Sequence, residues 1–109
     1  MKLLFVSSLK DYQKTVADIF HQAHIPVFSV TETIGFKDQT TSNLLDNWFG
    51  SGPEEFNSIF IFSFTEEVQA DKAMNLIKEY NMKNNTGFPI RAFILPVEKS
   101  SYQWSYSFY

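Results

Sequence analysis

The sequence predicts an α+β sandwich of element order βαββαβ, with two helices on one face of a four-stranded antiparallel sheet. Three observations carry the prediction. Two β-rich runs, residues 3–6 and 58–65, each lead into a stretch whose apolar residues fall at helical spacing. Each helical stretch is closed by turn residues and followed by another extended segment. The composition, 44% apolar with twelve Phe in 109 residues, supplies a core for one domain, residues 1–109, with an aromatic arm over 101–109.

The first strand is the continuous apolar run Leu3, Leu4, Phe5, Val6, which suits a central strand buried on both faces. The segment Ser8-Leu9-Lys10-Asp11 has the spacing of a helix start. From there Tyr12, Val16, Ile19, Phe20 and Ala23 make an apolar helix face, with Gln13, Lys14, Asp18 and Gln22 opposite. Pro26 ends this helix and forces Ile25 to be extended. Residues 27–34 alternate, with Phe28 and Val30 to one side and Ser29 and Thr31 to the other, and Gly35 closes this second strand. A long polar passage, 36–57, precedes the third strand, Ser-Ile-Phe-Ile-Phe-Ser-Phe-Thr over 58–65. Thr65 is placed to cap the second helix, with Glu66 and Glu67 in its first turn, where the helix dipole favours acids. Its apolar side reads Val68, Ala73, Met74, Ile77 and Tyr80, and Asn84-Asn85-Thr86-Gly87 stops it. The last strand covers 90–95. Pro96 removes a ladder donor, so this strand is expected to lie at an edge or to bend there.

Strand, helix, strand, twice over, is the split-βαβ or ferredoxin-like arrangement. Both helices on one face leave the other face bare. An aromatic-rich sheet does not face water in large patches, and a domain this small gains stability by burying more surface. Self-association is therefore expected.

Composition narrows the functional classes. There is no Cys, so disulfides, thiolate metal sites and cysteine nucleophiles are excluded. The net charge is −3 and the cations are scattered, which argues against a nucleic-acid partner. No segment reads as a signal peptide or membrane span, so a cytoplasmic protein is expected. No G-x-S-x-G, P-loop or Ser/His/acid spacing occurs, and no enzymatic activity is expected.

Four features could carry function. The passage 36–57 is far longer than its two strands need, and such connections are usually functional or disordered. It holds Asn47, Trp48, Phe49 and Gly50, which read either as an aromatic anchor for a protein partner or as a fold-back onto a subunit's own sheet. His21 and His24 are three residues apart on the first helix. They read as candidate ligands of one metal ion, with Asp18 a turn earlier, or as two solvated polar residues. The end of the chain alternates Tyr102, Trp104, Tyr106 and Phe108 with polar residues, the pattern of a strand with one apolar side. That segment could add to a sheet edge of its own or a neighbouring subunit, or pack as an arm on its own domain.

The fourth feature is a resemblance. The segment Val30-Thr31-Glu32-Thr33-Ile34-Gly35-Phe36-Lys37-Asp38-Gln39 resembles the part of the P-II nitrogen-regulatory proteins that ends the second strand and opens the long T-loop. Residues 91–99, Arg-Ala-Phe-Ile-Leu-Pro-Val-Glu-Lys, are similar to that family's last core strand. Both matches fall in the right order on the right elements, and the resemblance spans residues 1–99. It implies a homotrimer whose sheets face a common interior, an adenine nucleotide bound between subunits, and a T-loop that docks on a target, with a membrane transporter the leading expectation for that partner. Gly35 and Phe36 would shape the loop root, Gln39 would contact the nucleotide or its metal, and Arg91 would take the place of a phosphate-binding lysine.

The chain departs from that pattern in two places. The glycine-rich B-loop, whose backbone N–H groups cradle phosphates, is replaced by Asn84-Asn85-Thr86-Gly87-Phe88-Pro89-Ile90, with one glycine and a proline that has no donor. The basic C-terminal segment is absent, and no charged side chain follows Lys99. The topology and the Leu-Pro-Val-Glu run are also similar to the CutA-type divalent-cation-tolerance proteins, which keeps a metal-responsive trimer as an alternative. A ligand-free interaction module is a third.

Overall fold

The computed structural model describes residues 1–36, 55–85 and 87–101. In chain order the elements are β1 (Lys2–Leu9), a 3-10 turn (Lys10–Tyr12), α1 (Gln13–Gln22), β2 (Ser29–Phe36), β3 (Glu55–Thr65), α2 (Glu67–Lys83) and β4 (Arg91–Pro96). Among the described residues the strands form one antiparallel sheet of order β2-β3-β1-β4, the ferredoxin-like arrangement. β1 is central and β4 is an edge, as the sequence predicts.

Register assigns the two faces. Leu4 lies opposite Ser63 and Ile94, and Val6 opposite Ile61 and Ala92. These side chains, with Ile59, meet Val16, Ile19, Phe20 and Ala23 at α1, and Ala73 and Ile77 of α2, in one core. The helical period at α1 is therefore the period of the core: Val16, Phe20 and Ala23 are fully buried. Burying a side chain such as Phe20 contributes roughly 1.5–3 kcal/mol. Edge-on ring pairs tie α1 to the residue before β2, through Phe20 and Phe28, and the 3-10 turn to α2, through Tyr12 and Tyr80. Buried Ser63 donates its hydroxyl to the Val27 carbonyl at 2.6 Å, which fixes the chain just before β2.

Several boundaries differ from expectation, for local reasons. β2 runs through Gly35 to Phe36 and β3 begins at Glu55, with Phe36 opposite Glu55, so the strands take in both ends of the 36–57 passage. Thr65 does not cap α2. It is the last residue of β3, paired with Lys2, and the extended residue before the helix is Glu66, whose side chain makes no capping bond. Val68 is 78% exposed; the buried stripe of α2 is Ala70, Ala73 and Ile77. Alanines pack close to the sheet and leave only a weak apolar signal in the sequence.

Candidate functional site

The face of the sheet away from the helices carries Leu3, Phe5, Ser7 and Leu9 of β1, Ser58, Phe60, Phe62 and Phe64 of β3, and Arg91, Phe93 and Leu95 of β4. The alternation of each strand puts them there. Phe5 and Phe60 touch with ring centroids 4.9 Å apart. Phe93 and Leu95 are 36% and 45% exposed. No described helix covers this face. Two serines sit buried in it, Ser7 and Ser58, and the Ser58 hydroxyl has no hydrogen-bond partner.

The residues proposed at the loop root and at the last strand share one end of the sheet. Arg91, the first residue of β4, lies opposite Ser7 near the end of β1. Ser7 lies opposite Phe60, and Phe60 opposite Thr31 of β2. Gly35 is four residues beyond Thr31, buried and opposite Phe56. Three strand spacings across and four residues along put Gly35 on the order of 20 Å from Arg91, at opposite edges of the same end. One copy of the chain cannot close both around one small ligand. The backbone of Phe36 continues β2 by one residue. Gln39, Asn47, Trp48 and Phe49 lie outside the described residues, as does the arm over 102–109.

Arg91 is half-buried and has no ion-pair partner among the described residues. Its place is set by a side chain that sequence reasoning did not single out. The Asn81 amide donates to the Ile90 carbonyl at 2.8 Å, and the Ile90 N–H donates to the Asn81 side-chain oxygen at 2.9 Å. This double bond between α2 and the residue before β4 closes the short connection from the inside. The sequence carries no signal for it, because Asn81 lies in the last turn of α2, where an Asn needs no special reason. The one glycine of that connection, Gly87, has φ +85, and a side chain there would meet open space. The glycine serves the turn's left-handed backbone; no neighbouring group approaches it closely.

His21 and His24 do not share a helix face. α1 ends at Gln22, and His24 follows with φ 62. Its N–H donates to the His21 carbonyl at 3.1 Å, and the Ile25 N–H donates to the Phe20 carbonyl at 2.9 Å. These are the two bonds of a Schellman cap, with His24 in the position usually taken by glycine. Both histidines are exposed. Among the described residues no group of three His, Asp or Glu is arranged to hold a metal ion. No described helix is long and apolar enough to cross a membrane.

No family model matches the sequence, and no curated protein matches it. Solved structures do. A chain from Thermus thermophilus, assigned to the PII-like signalling proteins, superposes with a TM-score of 0.59 over 85% of this chain and 82% of its own, at 12% identity. The two proteins share a fold.

Proposed function

We propose that this chain is a divergent P-II-like regulatory protein that acts by binding. It works as a homotrimer, takes a small anionic ligand of the adenine-nucleotide class between copies, and controls a partner protein, a membrane transporter being the leading candidate, through the 36–57 passage. The observation that carries the reading is the split site: Gly35 and Arg91 sit at one end of the sheet on opposite edges. A ring of copies sets the β2 edge of one beside the β4 edge of the next and completes the site. It also turns the Phe-rich faces toward one another and removes them from water. Arg91 then offers a fixed cation for phosphate oxygens, with Gly35, Phe36 and Gln39 supplied by the neighbour.

A thermal-shift titration with ATP, ADP, AMP, cyclic nucleotides and divalent metals tests the proposal. A ligand at a hundred times its dissociation constant stabilises the folded state by about 2.7 kcal/mol, several degrees for a chain of this size. The expected result is a saturable shift with a nucleotide that Arg91→Ala abolishes. A shift with metal alone would favour the metal-responsive alternative, and no shift would leave a ligand-free interaction module.

A further inference from the structure

The end of the sheet that carries Gly35 and Arg91 differs in chemistry from the rest of the bare face. Away from that end the central strands present Leu3 and Phe5 of β1 and Phe62 and Phe64 of β3. Toward it, Ser7 and Ser58 interrupt the apolar alternation of both strands, with Thr33 of β2 opposite Ser58. Each serine is only 3% exposed, and the Ser58 hydroxyl has no hydrogen-bond partner. A hydroxyl in that state has lost its bonds to water and gained none in return. A face built only to meet another copy would carry apolar side chains at both positions, so the hydroxyls point to a polar partner that the described residues do not supply.

Register ties the two serines to Arg91. Arg91 lies directly opposite Ser7. Ser7 lies opposite Phe60, and Ser58 is two residues from Phe60 along β3, which makes it a diagonal neighbour of Ser7 on the same face. Diagonal neighbours stand about 7–8 Å apart, close enough for two hydroxyls to reach different oxygens of one tetrahedral anion. Arg91 is half-buried and makes no ion pair with a described residue. One guanidinium needs further donors to hold such an anion, and the two residues ahead of β4 offer none. The Ile90 N–H is taken by the Asn81 side chain, and Pro89 has no N–H.

We infer that Ser7 and Ser58 are binding residues of the ligand site, and that with Arg91 they hold a phosphate group over the face of the sheet. The inference rests on the function proposed above for the place of the ligand, and adds the group recognised and the residues that recognise it. The guanidinium supplies charge and paired N–H donors, and each hydroxyl donates one hydrogen bond to a phosphate oxygen. Side-chain hydroxyls on the sheet thus do what the backbone ahead of β4 cannot. Both serines are closed to water in the ligand-free chain, so binding includes uncovering them, and satisfying the Ser58 hydroxyl offsets part of that cost.

Calorimetric titration of the full chain with inorganic pyrophosphate and with ADP tests the inference. The wild-type chain is expected to bind pyrophosphate. Ser7→Ala and Ser58→Ala are each expected to weaken that binding roughly ten- to a hundredfold, the value of a hydrogen bond to a charged group, and to weaken ADP by the same factor. Ser58→Ala is also expected to leave the urea midpoint of the ligand-free protein unchanged or raised, because it removes a hydroxyl that has no partner. A lowered midpoint with unchanged affinity would make Ser58 a structural residue bonded to an ordered water, and would overturn the inference. ADP binding that is lost in Arg91→Ala but kept in both serine variants would leave the P-II-like reading standing and overturn the inference. Pyrophosphate binding that depends on both serines, without affinity for ADP, would uphold the inference and remove the nucleotide from the proposed function. No binding of either probe by the wild-type chain would overturn both.

Discussion

His24 shows how one residue can be misread from spacing. Two histidines three apart suggest one helix face only while the helix lasts, and α1 stops at Gln22. Beyond it, the chain needs a left-handed residue so that the His24 and Ile25 N–H groups can return to the last carbonyls. Left-handed backbone costs most L residues roughly 1–2 kcal/mol, though histidine tolerates it better than most. Glycine removes that cost but gains freedom in the unfolded chain, which offsets part of it. His24→Gly is therefore expected to raise stability by about 0.5–1 kcal/mol, read as a higher urea midpoint at unchanged slope. A fall in stability would mean that the imidazole makes a contact worth more than the strain. Nothing in the local sequence marks position 24 as left-handed, since no Gly or Asn stands there. Pro26, two residues later, does mark the helix end, because the residue before a proline is held out of the helical region.

The elements were legible where a side chain repeats a clear period. α1, with Val16, Ile19, Phe20 and Ala23 all buried, follows its apolar spacing, and β3 follows its alternation of Ile and Phe. α2 was legible in extent but not in phase, because Ala70 and Ala73 carry its contact while the more apolar Val68 faces water. The end of β3 at Thr65 was legible and that of β2 was placed within a residue, but the start of β3 was not. Glu55 and Asn57 read as loop, yet the partner strand extends their pairing to Phe36. The connection from α2 to β4 was read as a degraded phosphate loop, and its fixation by Asn81 was invisible because the bond joins residues nine apart across a turn. That bond sets where β4 begins. Removing the amide leaves the Ile90 N–H and C=O in a buried position without partners, at a cost of about 1–3 kcal/mol. Asn81→Ala is expected to lower stability by that amount. It is also expected to speed amide exchange at Ile90 and Arg91 more than in β1. Equal acceleration in every strand would mean that Asn81 supports the whole fold and has no special hold on β4.

At the scale of the molecule, the question is what the bare face of the sheet does. Its Phe5, Phe60, Phe62 and Phe64 sit on the two central strands, with Phe93 and Leu95 beside them at the β4 edge. No described helix covers this apolar surface, so the face needs a partner. The split between Gly35 and Arg91 argues that the partner is another copy. Phe62 is the sharpest probe. It lies opposite Phe5 and Ser29, is half-buried, and points away from the core formed by Leu4, Val6, Ile59 and Ile61 with the helices. A carboxylate there would be solvated in a lone chain but desolvated without a counter-charge between copies, where an unpaired buried charge costs several kcal/mol. Phe62→Asp is expected to reduce the solution mass from three times 12.7 kDa, about 38 kDa, to that of one chain, with the far-ultraviolet circular dichroism retained. Val68→Asp, on the exposed side of α2, is the control and is expected to leave the mass unchanged. A Phe62→Asp protein that keeps its full mass would place the interface elsewhere.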